Sequence, residues 1–167
     1  MDIEFSAPDH LTADFVGEAG QRTFFLQAAE AGQVVSVLVE KEQVSAIAEV
    51  LERLLAEVGA SLPRVWDIAA MRLQEPIAPR WRAGSIAVGL DPQLGRFVVE
   101  VTEFVAEEEE REPEQVRVWA SQEQAEVLAA HAAWSVAQGR PTCRLCGLPI
   151  DTDGHLCPRS DGDARQR

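Results

Sequence analysis

The sequence predicts an α+β fold made of two antiparallel hairpin-plus-helix units and a C-terminal zinc-knuckle lobe. Two stretches of the 167-residue chain alternate apolar and polar residues around a turn that contains glycine, which is typical of β-hairpins. Apolar residues at helical spacing follow in each half of the chain. All three cysteines lie in one short segment, CRLCGLPIDTDGHLC, which runs from Cys143 to Cys157.

The first unit is predicted from two strands and a helix. The runs 22–28 and 34–39 are joined by AEAGQ, where Gly32 permits the positive φ of a short turn. The helix after them is predicted from an apolar stripe that comprises Val44, Ile47, Leu51, Leu54 and Val58. Residues 59–82 are expected to form a connector, because three prolines interrupt them. The N-terminal residues, including His10, are expected to be mobile.

The second unit is predicted from the next part of the chain. Residues 84–90 and 96–105 form a hairpin around the turn DPQLG. The run EEEEREPE at 107–114 is expected to be a solvated loop, since adjacent like charges resist burial; an acidic binding patch is the alternative. A strand, VRVWA, and a helix follow, and Ser121 with Gln124 predicts a capping box at the start of that helix.

The two units share a pattern that favours an internal duplication. VSVLVEKEQVSAIAEVLERLLAEVG and VRVWASQEQAEVLAAHAAWSVAQG align so that Gln124 falls on Gln43 and each helix ends at a glycine. Any strand followed by an amphipathic helix gives a similar pattern, so two unrelated units are the alternative. The predicted organisation is an α+β domain at 1–139, a zinc-binding lobe at 140–160 and a disordered tail at 161–167.

Composition and charge exclude several classes of protein. The formal charge of −13 and the pI near 4.6 disfavour nucleic acid and anionic membranes as partners. The sequence shows neither a secretory leader nor an apolar run of membrane-spanning length, which predicts a soluble cytoplasmic protein. An odd number of cysteines argues against a secreted disulfide framework.

The cysteine segment predicts a structural zinc site. Cys143 and Cys146 are separated by two residues, so a tight turn can direct both thiolates at one ion, and Gly147 follows where a left-handed residue closes such a turn. His155 and Cys157 are separated by one residue, and alternate residues of an extended segment point the same way. Together Cys143, Cys146, His155 and Cys157 are predicted to hold Zn²⁺ in a closed site.

Three alternatives stay open for this segment. The first is a redox-active CxxC pair, with Arg144 between the two thiols lowering their pKa values. The second takes the fourth ligand from Asp151 or Asp153 instead of His155. The third is an iron–sulfur centre. The thiolate charge is expected to be balanced by three arginines, which in the alternative reading form a basic patch for an acidic partner: Arg140, Arg144 and Arg159.

The rest of the sequence contains no recognised catalytic motif. A phosphate-binding glycine loop, HExxH, GxSxG and a dinucleotide fingerprint are all absent. His131 is expected on a helix face or half-buried, rather than as a general base. The leading hypothesis is therefore a non-enzymatic binding or adaptor module with a protein partner.

Two other hypotheses compete with the binding module. One is a small-ligand-binding protein or an enzyme with a pocket between the two units, where Arg22, Arg80 or Arg82 holds an anionic substrate. The other is a zinc-dependent nucleic-acid binder, which the negative charge disfavours.

Three stretches together resemble a known family. They are FVGEAGQRTFFLQA with VLVEKEQV, EPIAPRWRAGSIAVGLD, and GRPTCRLCGLPIDTDGHLCPRS. They resemble an actinobacterial family, the domain of unknown function numbered 3090, over residues 15–160. The resemblance implies an actinobacterial, cytosolic protein and brings no activity with it. The polar tail DGDARQR departs from the family pattern, in which the chain ends soon after the cysteine segment.

Overall fold

The structure, a computed structural model, describes residues 2–139, 141–150, 154–159 and 165–166. The elements are β1 (Ile3–Phe5), β2 (His10–Val16), β3 (Thr23–Glu30), β4 (Gln33–Val39), α1 (Lys41–Glu57), β5 (Pro79–Asp91), β6 (Arg96–Glu103), β7 (Gln115–Ala120), α2 (Gln122–Ala137), β8 (His155–Leu156) and β9 (Arg165–Gln166). This is an α+β fold, as predicted. Neither helix in the described part of the chain has the length and apolar character needed to cross a lipid bilayer.

The first seven strands form one mixed sheet in the order β1-β7-β6-β5-β4-β3-β2. Strands β2, β3 and β4 pair antiparallel in succession, and so do β5, β6 and β7. Two parallel pairs complete the sheet, β4 with β5 and β1 with β7. The sheet thus consists of two antiparallel groups joined by parallel contacts.

The connection between the two edge strands forces the sheet to curl. β1 and β2 lie at opposite edges, yet residues 6–9 alone connect them. In a flat sheet the six inter-strand spacings between the edges amount to about 29 Å. The five Cα–Cα steps of the connection span at most about 18 Å. The sheet therefore curves until its edges approach each other, and it wraps the core on its inner face.

The core lies between that inner face and the two helices, which pack against each other. Alternate residues of β4 are buried, as the period of two predicts: Val35, Val37 and Val39. The apolar stripe of α1 differs from the prediction in its last turn. Leu55 is fully buried, whereas Leu54 is half-buried and Val58 is 46% exposed. The reason is that α1 ends at Glu57, so Val58 lies beyond the last helical residue.

Both helices begin with the same capping arrangement. In α2 the Ser121 hydroxyl accepts a hydrogen bond from the Gln124 N–H (3.2 Å), and the Gln124 side chain accepts one from the Ser121 N–H (3.0 Å). In α1 the Gln43 side chain accepts from the Glu40 N–H at 2.8 Å. These bonds satisfy N–H groups that have no partner within the helix. The predicted capping box of α2 is confirmed.

The same two glutamines also connect the two halves of the molecule. Gln43 Nε2 donates to the Gly84 carbonyl of β5 at 3.4 Å, and Gln124 Nε2 donates to the Pro8 carbonyl just before β2 at 2.7 Å. Each half therefore has three antiparallel strands and a helix whose capping glutamine contacts the other half. The shared order agrees with the alignment of the sequence, and an internal duplication as its origin stays a prediction.

The expectation of a mobile N-terminus is wrong. His10 is only 8% exposed and pairs with Ala29 at the start of β2. Part of the predicted connector covers this strand, where the Thr12 hydroxyl donates to the Met71 carbonyl at 2.6 Å. The connector itself is shorter than predicted, because β5 begins at Pro79 and pairs in parallel with β4.

The acidic loop is exposed, as predicted, and its ends are held by arginines. Residues 107–113 are all exposed. Arg111 binds both carboxylate oxygens of Glu103 at 2.7 and 2.8 Å, and it lowers the pKa of Glu103 to about 2 together with the backbone N–H of Glu114. Glu114 is bound by Arg80 at 2.6 Å.

Candidate metal centre

The four residues singled out from the sequence come together in the structure. The ligand atoms of Cys143, Cys146, His155 and Cys157 all lie within 4.8 Å of one another. Cys143 and Cys157 are buried, and the other two are half-buried. These four side chains are therefore placed to bind a metal ion.

A tight turn positions the first pair of ligands. The Cys143 N–H donates to the Leu148 carbonyl at 2.8 Å, and the Cys143 carbonyl accepts from the Gly147 N–H at 2.9 Å. Gly147 has φ +74°, a conformation that side chains other than glycine adopt at a cost, which confirms the expected left-handed residue. A bridge between Thr142 and Pro149 closes the turn into a small hairpin.

An extended segment positions the second pair. His155 and Leu156 form β8, which pairs with β9. Alternation along this segment directs His155 and Cys157 into the cluster and leaves Leu156 76% exposed. Arg159 Nη1 donates to the Leu145 carbonyl at 3.3 Å, so the two halves of the site are also joined outside the cluster.

Two of the distances within the cluster match those around one tetrahedral ion. Cys143 Sγ and Cys157 Sγ are 3.8 Å apart, and Cys146 Sγ and His155 Nε2 are 3.3 Å apart. Bonds of about 2.3 Å to sulfur and about 2.0 Å to nitrogen give edges of about 3.8 Å and about 3.5 Å in a tetrahedron. A disulfide needs about 2.0 Å between sulfurs, which is much shorter than the 3.8 Å between Cys143 Sγ and Cys157 Sγ. The geometry suits one ion held by four protein atoms.

Backbone donors and burial act differently on the two thiols of the turn. The N–H groups of Cys146 and Leu145 direct hydrogen bonds at Cys143 Sγ and lower the pKa of that thiol, against the opposing effect of burial. The Leu148 N–H acts in the same direction on Cys146, but burial and the neighbouring thiols raise the pKa of Cys146 overall. Thiolates are the metal-binding form, so of the two thiols in the turn Cys143 is the better prepared to bind a cation.

The structure describes two of the arginines named in the sequence alternatives, Arg144 and Arg159. Asp151, Asp153 and Arg140 lie outside the described residues. Of the remaining arginines, Arg159 contacts the turn as described above, and Arg144 is exposed. The imidazole occupies the fourth corner of the described cluster, with its Nδ1 buried and without a partner among the described residues.

The structure contains a second polar cluster, which the sequence did not predict. His131 is completely buried and accepts a hydrogen bond at Nδ1 from the Trp66 indole N–H at 3.2 Å. Its Nε2 lies 3.4 Å from Asp14 Oδ1, and Arg72 contacts the same carboxylate at 3.3 Å. Although burial raises the pKa of Asp14, the His131 hydrogen bond, the Phe15 backbone N–H and Arg72 lower it overall.

This cluster corrects the expectation for His131 and has the features of a structural contact. No sequence signal could have joined the three residues, because Asp14, Trp66 and His131 are far apart in the chain. Both Asp14 and His131 are buried to 1% exposure or less. The network ties the connector to β2 and α2.

The three arginines considered for an anionic substrate do not converge. Arg80 is paired with Glu114, and Arg82 is paired with Glu40 at 2.7 Å. Arg22 lines a cavity of about 490 Å³ between the first half of the sheet and the turn of the metal cluster. This cavity is therefore not located between the two units, where the sequence hypothesis placed a pocket.

The comparison with known families gives one result. Residues 3–157 match the family described as "Protein of unknown function (DUF3090)", and the chain belongs to this family. The matched region ends at Cys157 and so includes all four residues of the metal cluster. No curated protein and no solved structure matches the chain.

Proposed function

We propose that Cys143, Cys146, His155 and Cys157 bind one structural Zn²⁺ and that the protein is a non-enzymatic, cytoplasmic binding or adaptor module. The observation that carries the proposal is the spacing of the four ligand atoms, which fits a tetrahedron around one ion. Three thiolates and one imidazole form a donor set that suits zinc. A four-iron cluster needs more widely separated sulfurs, since each sulfur binds a different iron atom.

The site is structural because the protein occupies every position of the tetrahedron. A catalytic zinc ion keeps one position open for water or substrate. In this lobe, which we place at residues 140–160, the ion joins the turn that carries Cys143 to the extended segment that carries Cys157. The two segments are 14 residues apart in the chain, and zinc fixes their relative position.

The surface of the lobe supports a role in binding. Three of its leucines are about half exposed or more: Leu145 (48%), Leu148 (49%) and Leu156 (76%). Exposed leucines cost free energy in water and favour an apolar protein surface as the partner. The formal charge of −13 disfavours nucleic acid as that partner. Zinc therefore holds these leucines in place on a small rigid lobe.

Replacement of zinc by Co²⁺ tests whether the site is closed. Tetrahedral cobalt with three thiolates should give intense visible bands and a sulfur-to-cobalt charge-transfer band. Added azide or cyanide should leave this spectrum unchanged, because no coordination position is free. A spectrum that shifts with saturable dependence on the added anion would show an open position and would contradict the non-enzymatic, structural assignment.

A further inference from the structure

The cavity beside the metal lobe has walls from two parts of the molecule. The ends of β3 and β4 and the start of α1 form one wall, and Thr142 and Pro149 of the cysteine turn form the other. Its volume of about 490 Å³ lies within the range of small-molecule sites. Thr142 directly precedes the metal-site residue Cys143, so the second wall is part of the lobe.

Arg22 contributes a guanidinium group whose hydrogen bonds are unmet. Its Cζ atom lies 4.1 Å from the centre of the Phe15 ring, which holds the group in place. Its Nε and Nη1 atoms are buried and have no acceptor among the described residues. Buried charged donors without acceptors are costly, and most other arginines of the sheet have a carboxylate, as Arg80 and Arg117 do.

The start of α1 adds further positive charge to the same cavity. Lys41, the only lysine of the chain, is the first residue of α1 and lines the cavity. The positive end of the helix dipole lies there as well. Glu40 also lines the cavity, but its carboxylate is bound by Arg82 at 2.7 Å. Among the described residues, the cavity thus presents two cations and one neutralised acid, in a protein whose formal charge is −13.

From these observations we infer that the cavity binds a small organic anion, a phosphate monoester or a carboxylate, whose charged group contacts Arg22 and Lys41. An oxyanion in the cavity places negative charge beside the Arg22 guanidinium, whose Nε and Nη1 have no acceptor among the described residues. Leu38, which is half-buried, lines the cavity with apolar surface, which suits an organic group attached to the anion.

Binding of the anion is coupled to the metal, and this part rests on the proposed zinc site. The bound ion fixes the turn that carries Thr142 and Pro149, and so it completes the wall of the cavity. Removal of the metal therefore weakens anion binding, and the anion strengthens metal binding by the same factor.

Titration with phenyl phosphate, benzoate and inorganic phosphate tests the inference. Isothermal calorimetry on metal-loaded protein should show saturable binding of phenyl phosphate or benzoate, and the stronger of the two identifies the charged group. Arg22→Gln and Lys41→Gln should each weaken binding by about tenfold or more, since each removes one charged partner. Arg53→Gln is the matched control, because Arg53 is an exposed cation on α1 that does not line the cavity. The Arg53→Gln variant should bind the probes with the same affinity as the unchanged protein.

The outcomes separate this inference from the zinc proposal. Metal content and circular dichroism are measured on every sample. The anion site is overturned if folded, metal-loaded protein binds none of the three probes. It is also overturned if the Lys41→Gln variant binds them as tightly as the unchanged protein does. Either result leaves the zinc site standing. Protein that lacks metal but binds the probes through Arg22 and Lys41 overturns the zinc site and retains the anion site. Equal affinity with and without metal overturns the coupling alone.

Discussion

At the scale of single residues, a hydrogen bond from Trp66 orients the buried His131 ring. The Trp66 indole can only donate, so its 3.2 Å contact makes His131 Nδ1 an acceptor. The other ring nitrogen, Nε2, lies 3.4 Å from Asp14 Oδ1. Asp14 keeps its negative charge because His131 and Arg72 stabilise it. Three distant parts of the chain are held together by this network.

His10 gives the folded protein a defined pH dependence. Burial lowers the pKa of His10 below its ordinary value of 6.5, against the opposing effect of a hydrogen bond with Gln27. The unfolded chain binds this proton below pH 6.5, whereas the folded chain does not until a lower pH. The contribution of His10 to the free energy of unfolding is therefore complete above pH 6.5 and decreases as the pH falls below 6.5.

We predict that His10→Asn reduces the loss of stability between pH 7.5 and pH 5.5. One histidine contributes at most about 1.4 kcal/mol over this interval. Urea unfolding at the two pH values measures the difference for each protein. If the unchanged protein and His10→Asn lose the same free energy of unfolding, the assignment of this pH dependence to His10 is wrong.

The metal ligands should differ in how strongly their loss affects zinc binding. Cys143→Ser replaces a thiolate by a hydroxyl that does not ionise near neutral pH, so most of the affinity should disappear. His155→Ala should weaken binding less, by about tenfold to a hundredfold, because water can enter the fourth position. Competition with a chromophoric chelator measures both affinities.

Leu156→Ala is the control for the ligand variants. Leu156 lies between two proposed ligands and is 76% exposed, so its replacement should leave the zinc affinity unchanged. Unchanged affinity in His155→Ala would show that the imidazole is not a ligand and that another group completes the site.

At the scale of elements, the capping glutamines explain how the helices are joined to the sheet. Gln124 caps α2 through the Ser121 N–H and reaches the Pro8 carbonyl at 2.7 Å. Gln43 does the same for α1 with the Glu40 N–H and the Gly84 carbonyl. One side chain thus sets both the start of a helix and its position on the other half of the molecule.

Replacement of Gln124 by alanine should therefore cost more than the loss of an ordinary surface glutamine. We expect a decrease of about 1 to 2 kcal/mol in the free energy of unfolding, since a cap and a long-range hydrogen bond are both removed. Gln122→Ala is the control, because the side-chain hydrogen bond of Gln122 among the described residues goes to Glu126 one turn along α2. Its loss should cost about 0.5 kcal/mol or less. If Gln124→Ala and Gln122→Ala lower the free energy of unfolding in urea by the same amount, Gln124 does not link the helix to the other half of the molecule.

The elements also show what the sequence could and could not predict. The strands β3 to β7, both helices and the metal cluster were predicted because their signals are local: alternation, an apolar stripe, a cap and ligand spacing. β1 was missed because its partner in the sheet, Val116–Val118, lies far along the chain. β2 pairs with the neighbouring β3, but it was missed because its buried residues include polar ones such as Thr12, whose hydroxyl binds the distant Met71 carbonyl. The cavity at Arg22 was missed because its second wall, which comes from Thr142 and Pro149, also lies far along the chain.

Most of the predicted tail and part of the predicted lobe lie outside the residues that the structure describes. The predicted disordered tail at 161–167 lies mostly outside the described residues, and of it the structure gives only the strand β9. The division into a domain at 1–139 and a lobe at 140–160 stays a prediction.

At the scale of the whole molecule, the core and the metal site are largely separate. The buried cluster of the core draws on the seven-stranded sheet and the two helices, and it includes none of the three cysteines. Removal of the metal should therefore disorder the lobe and leave the sheet and helices folded. Far-ultraviolet circular dichroism before and after strong chelation should change little. A cooperative loss of the whole spectrum would show that the lobe is essential to the core.

Metal content combined with X-ray absorption spectroscopy tests the zinc site most directly. Protein purified under reducing conditions should contain about one zinc ion per chain, and its absorption edge should identify zinc. The fine structure should fit about three sulfur atoms at about 2.3 Å and one nitrogen atom at about 2.0 Å. The Cys₃His zinc site would be contradicted by any of three results. These are a folded protein without bound metal, an absorption edge of iron, and a zinc ion with oxygen in place of the imidazole nitrogen.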